Sequence, residues 1–206
     1  LKIQRIPAGI YAANCYIIYC HNTKEGIIVD PGGDADTIIE NIKNNKIEIK
    51  YIVLTHGHGD HIGAVKELKD ELDVPLLAHE DEQELLKNPN INLSATMAMG
   101  AIELEPDILL KDKDIIEFGN LKGEVIHTPG HTRGGICLKL DDYLISGDTL
   151  FKGSIGRTDL LGGNYKDLMD SIKNKILILD ENTIVLPGHG QSSTILDEKL
   201  YNPFLN

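Results

Sequence analysis

The sequence holds no CxxC pair and an odd number of cysteines, Cys15, Cys20 and Cys137, which argues against a disulfide scaffold and against a cysteine zinc knuckle. Cys15 and Cys20 lie in the apolar stretch NCYIIYC, where a thiol reads as a small buried hydrophobe and suits a reducing compartment. No apolar run approaches the roughly 18 residues that would span a bilayer, and the N-terminus carries no secretory pattern. The sequence opens on Leu1, and the default expectation is a cytoplasmic protein with no membrane partner. Guanidinium groups are scarce as well: Arg5, Arg133 and Arg157. With 20 Lys and Arg against 32 Asp and Glu, the formal net charge is −12. Such a surface repels a phosphate backbone, and no basic run offsets it, so a nucleic-acid partner is not expected.

What is present is an ordinary globular composition, 41% hydrophobic and 25% charged over 206 residues. That is enough to bury a core without disulfides, and no low-complexity linker marks a boundary, so one domain over residues 1–206 is expected. CYIIYC and GIIVDPGG read as strands around the turn HNTKEG. Ile38, Ile39 and Ile42 then fall at helical spacing between Asp34 and Asn44, with Asp34 or Asp36 as the cap. YIVLT is a short buried strand, residues 63–72 a helix, VPLLAH a strand, and residues 80–86 a short helix. From Asn88 to Pro106 the periodicity fades into a long loop, a frequent seat of function. Strands resume with DIIEFG, KGEVIHT, GICLKL, YLISGD and NTIVLPGHG, and helices are expected at Tyr165–Ile172 and in STILDEKL. Strand-rich blocks interrupted by helices in both halves point to two sheets with helices outside them.

The chemistry concentrates in Thr55-His56-Gly57-His58-Gly59-Asp60-His61, directly after an apolar strand. Imidazole nitrogen and carboxylate oxygen suit zinc and related divalent ions, and the interleaved glycines let the backbone fold tightly. In an ideal strand His56, His58 and Asp60 would share one face and leave His61 opposite; a turn would instead split the set between two metal positions. Three later residues repeat the pattern of a ligand beside glycine at a strand end: His131 in TPGHT, Asp148 in SGDT and His189 in PGHG. Loops at one sheet edge could feed all of these into a common site.

The HxHxDH block, the later GH, the SGD and the final PGHG resemble the metallo-β-lactamase superfamily, in the family's order and across nearly the whole chain. Within it, TPGHT and FKGSIGRTDL (residues 151–160) look like the glyoxalase II, hydroxyacylglutathione hydrolase-type branch. The resemblance implies an α/β protein, a four-layer αββα sandwich with the site at one sheet edge. It implies two divalent ions, zinc first, with iron or manganese as alternatives. His56, His58 and His131 would hold one ion, Asp60, His61 and His189 the other, and Asp148 would bridge them, Asp60 and Asp148 being the catalytic carboxylates. Two ions sharing a water lower its pKa toward neutrality, giving a hydroxide, and one polarises a carbonyl. A small-molecule thioester is a fitting partner, since its thiolate leaves with a parent pKa near ~8.5 and needs little acid help. S-lactoylglutathione and similar 2-hydroxyacyl thioesters are therefore the expected substrates.

Glyoxalase II enzymes continue into a basic C-terminal helical region that grips glutathione. This sequence stops at Asn206 soon after its last expected helix begins, so the resemblance leaves the thiol half open. Arg157 could pair with a substrate carboxylate, or with Asp159, and Tyr165 and the loop 88–100 could line the pocket. Rival readings keep the same ligands. The persulfide dioxygenase branch would bind one iron at His56, His131 and Asp148. A lactonase or β-lactamase would change only the pocket, and a silent metal-binding module would bind without turnover.

Overall fold

The computed structural model describes residues 1–98 and 100–205. The first half of the chain lays down β1 (Lys2–Ala8), β2 (Ala13–Tyr19), β3 (Glu25–Val29), β4 (Glu48–Val53), β5 (Leu76–His79) and β6 (Ile108–Leu110), hydrogen-bonded in that order. The second half builds β7 (Ile115–Phe118), β8 (Leu121–His127), β9 (Ile136–Leu140), β10 (Tyr143–Gly147), a hairpin of β11 (Leu150–Phe151) with β12 (Ser154–Ile155), then β13 (Ile184–Pro187) and β14 (Ser193–Thr194). Its main sheet runs β14-β13-β10-β9-β8-β7. The helices are α1 (Ala35–Asn45), α2 (Gly59–Ile62), α3 (Val65–Leu72), α4 (Gln83–Leu86), α5 (Tyr165–Ser171) and α6 (Ile195–Tyr201).

Period-2 alternation in the buried strands explains why four layers form. On β2, Cys15, Ile17 and Tyr19 pack with Ile38 and Ile42 of α1 and Val65 and Leu68 of α3, while Tyr16 and Ile18 face the other sheet. There they meet Phe118, Val125, Ile136, Leu138 and Ile145 in the core between the sheets. The outer face of the second sheet, Cys137, Leu144 and Val185, is covered by Ile176 and by Ile195 of α6. The order is therefore helices, sheet, sheet, helices, the αββα sandwich expected from the resemblance.

Several expectations shift locally. β1, β6 and the β11–β12 hairpin did not stand out in the sequence, being short or only half-buried. Asp34 does not cap α1 with its side chain: its own backbone is left-handed at φ 53°, and its Oδ2 accepts the Gly9 N–H at 2.8 Å. The helix expected over residues 63–72 forms as α3 (Val65–Leu72), and a further short helix, α2, precedes it inside the ligand run. His58 is still extended (φ −66°, ψ 149°), and α2 starts at Gly59. The chain therefore turns between His58 and Asp60, and the one-faced strand arrangement does not occur.

Candidate metal centre

β3, β4 and β5 are mutually parallel, as are β10 and β13, and β8 runs with β10 because each is antiparallel to β9. The residues following β3, β4, β8, β10 and β13 thus emerge at carboxyl ends. They are Asp30, Thr55 to His61, His131, Asp148 and His189. Among the groups of ligand atoms that lie within 4.8 Å of one another, two divide the expected ligands, His56 with His58 and His131, and Asp60 with His61 and His189, while Asp30 with His56 and His61 forms another that overlaps both. His58 Nδ1 lies 3.0 Å from His131 Nε2, and His61 Nε2 lies 3.3 Å from His189 Nε2. Asp148 reaches both groups. Its Oδ2 is 4.0 Å from His56 Nε2, 3.7 Å from His131 Nε2 and 3.8 Å from His189 Nε2, and its Oδ1 is 3.4 Å from His61 Nε2. Asp60 Oδ2 sits 3.1 Å from His189 Nε2. All seven residues singled out from the sequence are brought together.

The rings are oriented from behind. His131 Nδ1 donates to the Arg157 carbonyl at 2.8 Å, which leaves its Nε2 lone pair facing the cluster. Asp30, buried and acceptor-only as a carboxylate, takes the Thr55 N–H at 2.7 Å and the Thr55 hydroxyl at 2.5 Å. With its hydrogen committed to Asp30, Thr55 Oγ1 is the acceptor for His56 Nδ1 at 3.2 Å. Asp30 Oδ2 also accepts from His61 Nδ1 at 3.1 Å. One carboxylate therefore fixes a ring in each group, His56 through Thr55 and His61 directly.

The electrostatics divide the same way. Burial, reinforced by neighbouring imidazoles, drives His56 well below the usual histidine range and His58 down to about 3. Burial likewise lowers His131, against the pull of Asp148. These three rings are neutral, as ligands must be. At His61 burial is outweighed by Asp148 and Asp30, which raise it, and at Asp60 burial is outweighed by the His189 hydrogen bond and by His61, which hold its carboxyl low. That half favours positive charge.

The arrangement fits a pair of cations. His56 Nε2 and Asp148 Oδ1 are buried with no hydrogen-bond partner among the described residues, a costly state that a cation in the cluster relieves. Gly188 shows how tightly the cluster is built: a Cβ there would collide with Asp148 Oδ1 and sit 2.7 Å from His61 Cε1. A further trio, His79, Asp81 and His127, meets the same distance criterion but not the direction. Its imidazoles stack face to face, 3.8 Å apart and 16° from parallel, so their in-plane lone pairs run side by side instead of converging. His79 Nδ1 is already occupied by the Asp81 N–H at 3.2 Å.

Arg157 and Tyr165 lie at the margin. The Arg157 guanidinium forks onto Asp159 with two bonds of 2.8 Å, holding that carboxyl down to about 2, and its charge is felt at His58. Tyr165 is exposed at the start of α5, whose cap Asn164 bonds to the Gly130 carbonyl beside His131. In the loop 88–100, Ser94 and Met97 pack on Gly59, and Ile91 joins Leu85, Arg133 and Leu161 around a cleft of about 90 Å³. Met99 lies outside the described residues. Sequence reasoning missed Asp30, although an acid closing the apolar run GIIVD was a usable signal, and it missed Glu82, which gave none within its acidic run.

A two-sheet sandwich between helices, with His and Asp ligands gathered where strands of both sheets end, defines the metallo-β-lactamase fold. The chain belongs to the metallo-β-lactamase superfamily, whose family model matches residues 8–189. It is similar to the "probable metallo-hydrolase YqgX" of Bacillus subtilis, 39% identical over all of this chain and 98% of that protein. It is similar also to the hydroxyacylglutathione hydrolase GloC of Haemophilus influenzae, 34% identical over 100% and 99% of the two chains. Among solved structures, that of the BLEG-1 B3 metallo-β-lactamase is 41% identical with a TM-score of 0.93, both chains being covered in full. TTHA1623 in a di-iron-bound form is 32% identical with a TM-score of 0.87, covering 98% of this chain and 100% of that one. No helix among the described residues is long and apolar enough to cross a membrane.

Proposed function

We propose that this protein is a two-metal hydrolase of the glyoxalase II-like kind, cleaving S-lactoylglutathione or a similar 2-hydroxyacyl thioester. The observation that carries the reading is the pair of three-ligand groups joined by Asp148, with His56 Nε2 and Asp148 Oδ1 buried and without a hydrogen-bond partner among the described residues. His56, His58 and His131 would hold one divalent ion, Asp60, His61 and His189 the other, with Asp148 between them. When bound, such a pair supplies an acidified water and polarises the scissile carbonyl.

The chain's own contribution is positioning. Asp30, Thr55 and the Arg157 carbonyl fix the ring faces of His56, His61 and His131. Burial keeps the first group neutral and limits bulk water around it. A thiolate leaves readily, so a site without a strong general acid suits a thioester better than an amide. The Haemophilus enzyme GloC, similar over its whole length, supports this substrate class. The likeness to BLEG-1 favours a second reading, β-lactam hydrolysis on the same ligands.

Purified chain loaded separately with zinc, iron or manganese should hydrolyse S-lactoylglutathione, and a chelated control should not. Turnover of a β-lactam without turnover of the thioester would favour the second reading, and metal-loaded chain inert toward both would contradict a hydrolase. We further propose that the Arg157 guanidinium, whose charge is felt at His58, meets a substrate carboxylate once Asp159 yields it. Arg157→Ala should therefore raise KM by about tenfold while changing kcat little, the loss of one charge-assisted bond. If steady-state kinetics leave both constants untouched, that guanidinium has no substrate role and only its backbone carbonyl matters.

A further inference from the structure

We propose that Glu82 positions one half of the metal centre, its carboxylate clamping together the two loops that carry His56, His58 and His131. The proposal rests on the two-metal reading above and adds a residue to it. Glu82 closes the short 3-10 turn Glu80–Glu82 after β5 and is buried. Its Oε1 accepts the Gly57 N–H at 2.8 Å, and its Oε2 accepts the Gly134 N–H at 2.8 Å. Gly57 is the residue between His56 and His58, and Gly134 lies three residues beyond His131 in the loop leading to β9. A single side chain thus ties the first-sheet loop to the second-sheet loop, and both ties fall on one ligand group.

The contact is close-built. A Cβ on Gly134 would stand 2.7 Å from Glu82 Oε2, so only glycine lets that backbone reach the carboxylate. Gly57 is pressed from another side by Leu85 and Leu86 of α4, which also leave no space for a Cβ. Among the described residues no basic side chain is paired with Glu82; Arg133, nearest in the loop, pairs with Glu84. Burying a carboxylate without a cation is costly, and here burial raises it to about 7 against the bonds from the Gly57 and Gly134 N–H groups. Packing alone would be served better by an apolar side chain. What the carboxylate adds is two acceptors pointing apart, at the spacing of two backbone N–H groups. The other ligand group has no such tie to Glu82: His61 is held by Asp30, and the His189 loop by Asn14, whose amide donates to the Pro187 and Gly190 carbonyls.

The effect of Glu82 on metal binding should therefore be one-sided. Zinc titrations of metal-free chain against a competing chelator would compare wild type with Glu82→Gln, which keeps the volume but offers one carbonyl oxygen to two donors. Gly134→Ala reaches the same bond from the opposite side. We expect about tenfold or greater weakening at one metal position, on the scale set by residues that support ligands, and a change within about threefold at the other. Placed in a His189→Ala background, which leaves the His56/His58/His131 group whole, Glu82→Gln should weaken the remaining site; placed in His58→Ala it should not. In metal-free chain the Gly57 and Gly134 amides should exchange faster in the variant, by hydrogen exchange. Equal weakening at both positions, or none at either, would overturn the clamp. Wild-type chain that binds no zinc would overturn the two-metal reading itself, and the clamp with it.

Discussion

Replacing His58 with alanine is expected to take the chain from two bound ions to one and to cut turnover by about a thousandfold or more. The imidazole is buried, its Nδ1 faces His131 Nε2 at 3.0 Å, and among the described residues the first group has no other ligand to take its place. Two ligands from protein plus a shared carboxylate make a weak site for zinc, which prefers four-fold coordination. The loss should be confined to metal and activity. His58 Nε2 is a buried polar atom with no hydrogen-bond partner among the described residues, so truncation removes an unsatisfied group while opening a small cavity. Metal-free wild type and variant should therefore melt within a few degrees of each other, while elemental analysis and a thioester assay separate them widely. A variant that keeps both ions and its activity would remove His58 from the centre.

Asp30→Asn is expected to weaken both metal positions together, by about 10- to 100-fold each, although Asp30 belongs to neither ligand group. The reason is hydrogen-bond polarity. Asp30 Oδ2 accepts from the Thr55 hydroxyl and from His61 Nδ1, which obliges His56 and His61 to carry their hydrogens on Nδ1 and present bare Nε2 atoms. Asparagine can keep its carbonyl oxygen on the Thr55 N–H, and its amide nitrogen then stands where Oδ2 was. That nitrogen donates toward Thr55 Oγ1 and His61 Nδ1. Both histidines are pushed to the opposite tautomer, with a hydrogen on the atom that should bind the ion. The isosteric change should lower metal-free stability by only about 1–3 kcal/mol, the scale of one mismatched buried bond. Urea unfolding and zinc titration would read the two effects apart. Loss at a single position would break the Thr55 relay to His56. The contrast with Glu82, expected to act on one position, makes the pair of variants informative together.

The ligands were legible because glycine is interleaved with them and each motif follows an apolar strand: HGHGDH, TPGHT, SGDT and PGHG announce themselves in one dimension. The two-sheet architecture was legible for a similar reason, since CYIIYC, GIIVD and GICLKL alternate faces within buried runs. What holds the ligands was not. Asp30 meets Thr55 because β3 and β4 pair with Val29 opposite Val53, so that each chain leaves its strand beside the other. Register is a tertiary fact that no local pattern states. Glu82 sits in HEDEQE, a stretch that reads as a solvated acidic face until the turn after β5 tucks one of its carboxylates inward. The start of α2 at Gly59 was likewise open, because glycine at alternate positions permits both a strand and a turn. Arg157 stood between two readings in the sequence. The structure shows its bond to Asp159 formed and gives its backbone carbonyl, which no side-chain pattern reports, the task of orienting His131.

The central claim is a two-ion centre shared across Asp148, and its most direct test is the number of zinc ions bound per metal-free chain at saturation. The account predicts two in the wild type and one in His189→Ala. Saturation at a single ion per chain, with His189→Ala indistinguishable from wild type, would contradict it and leave a mononuclear site on His56, His131 and Asp148.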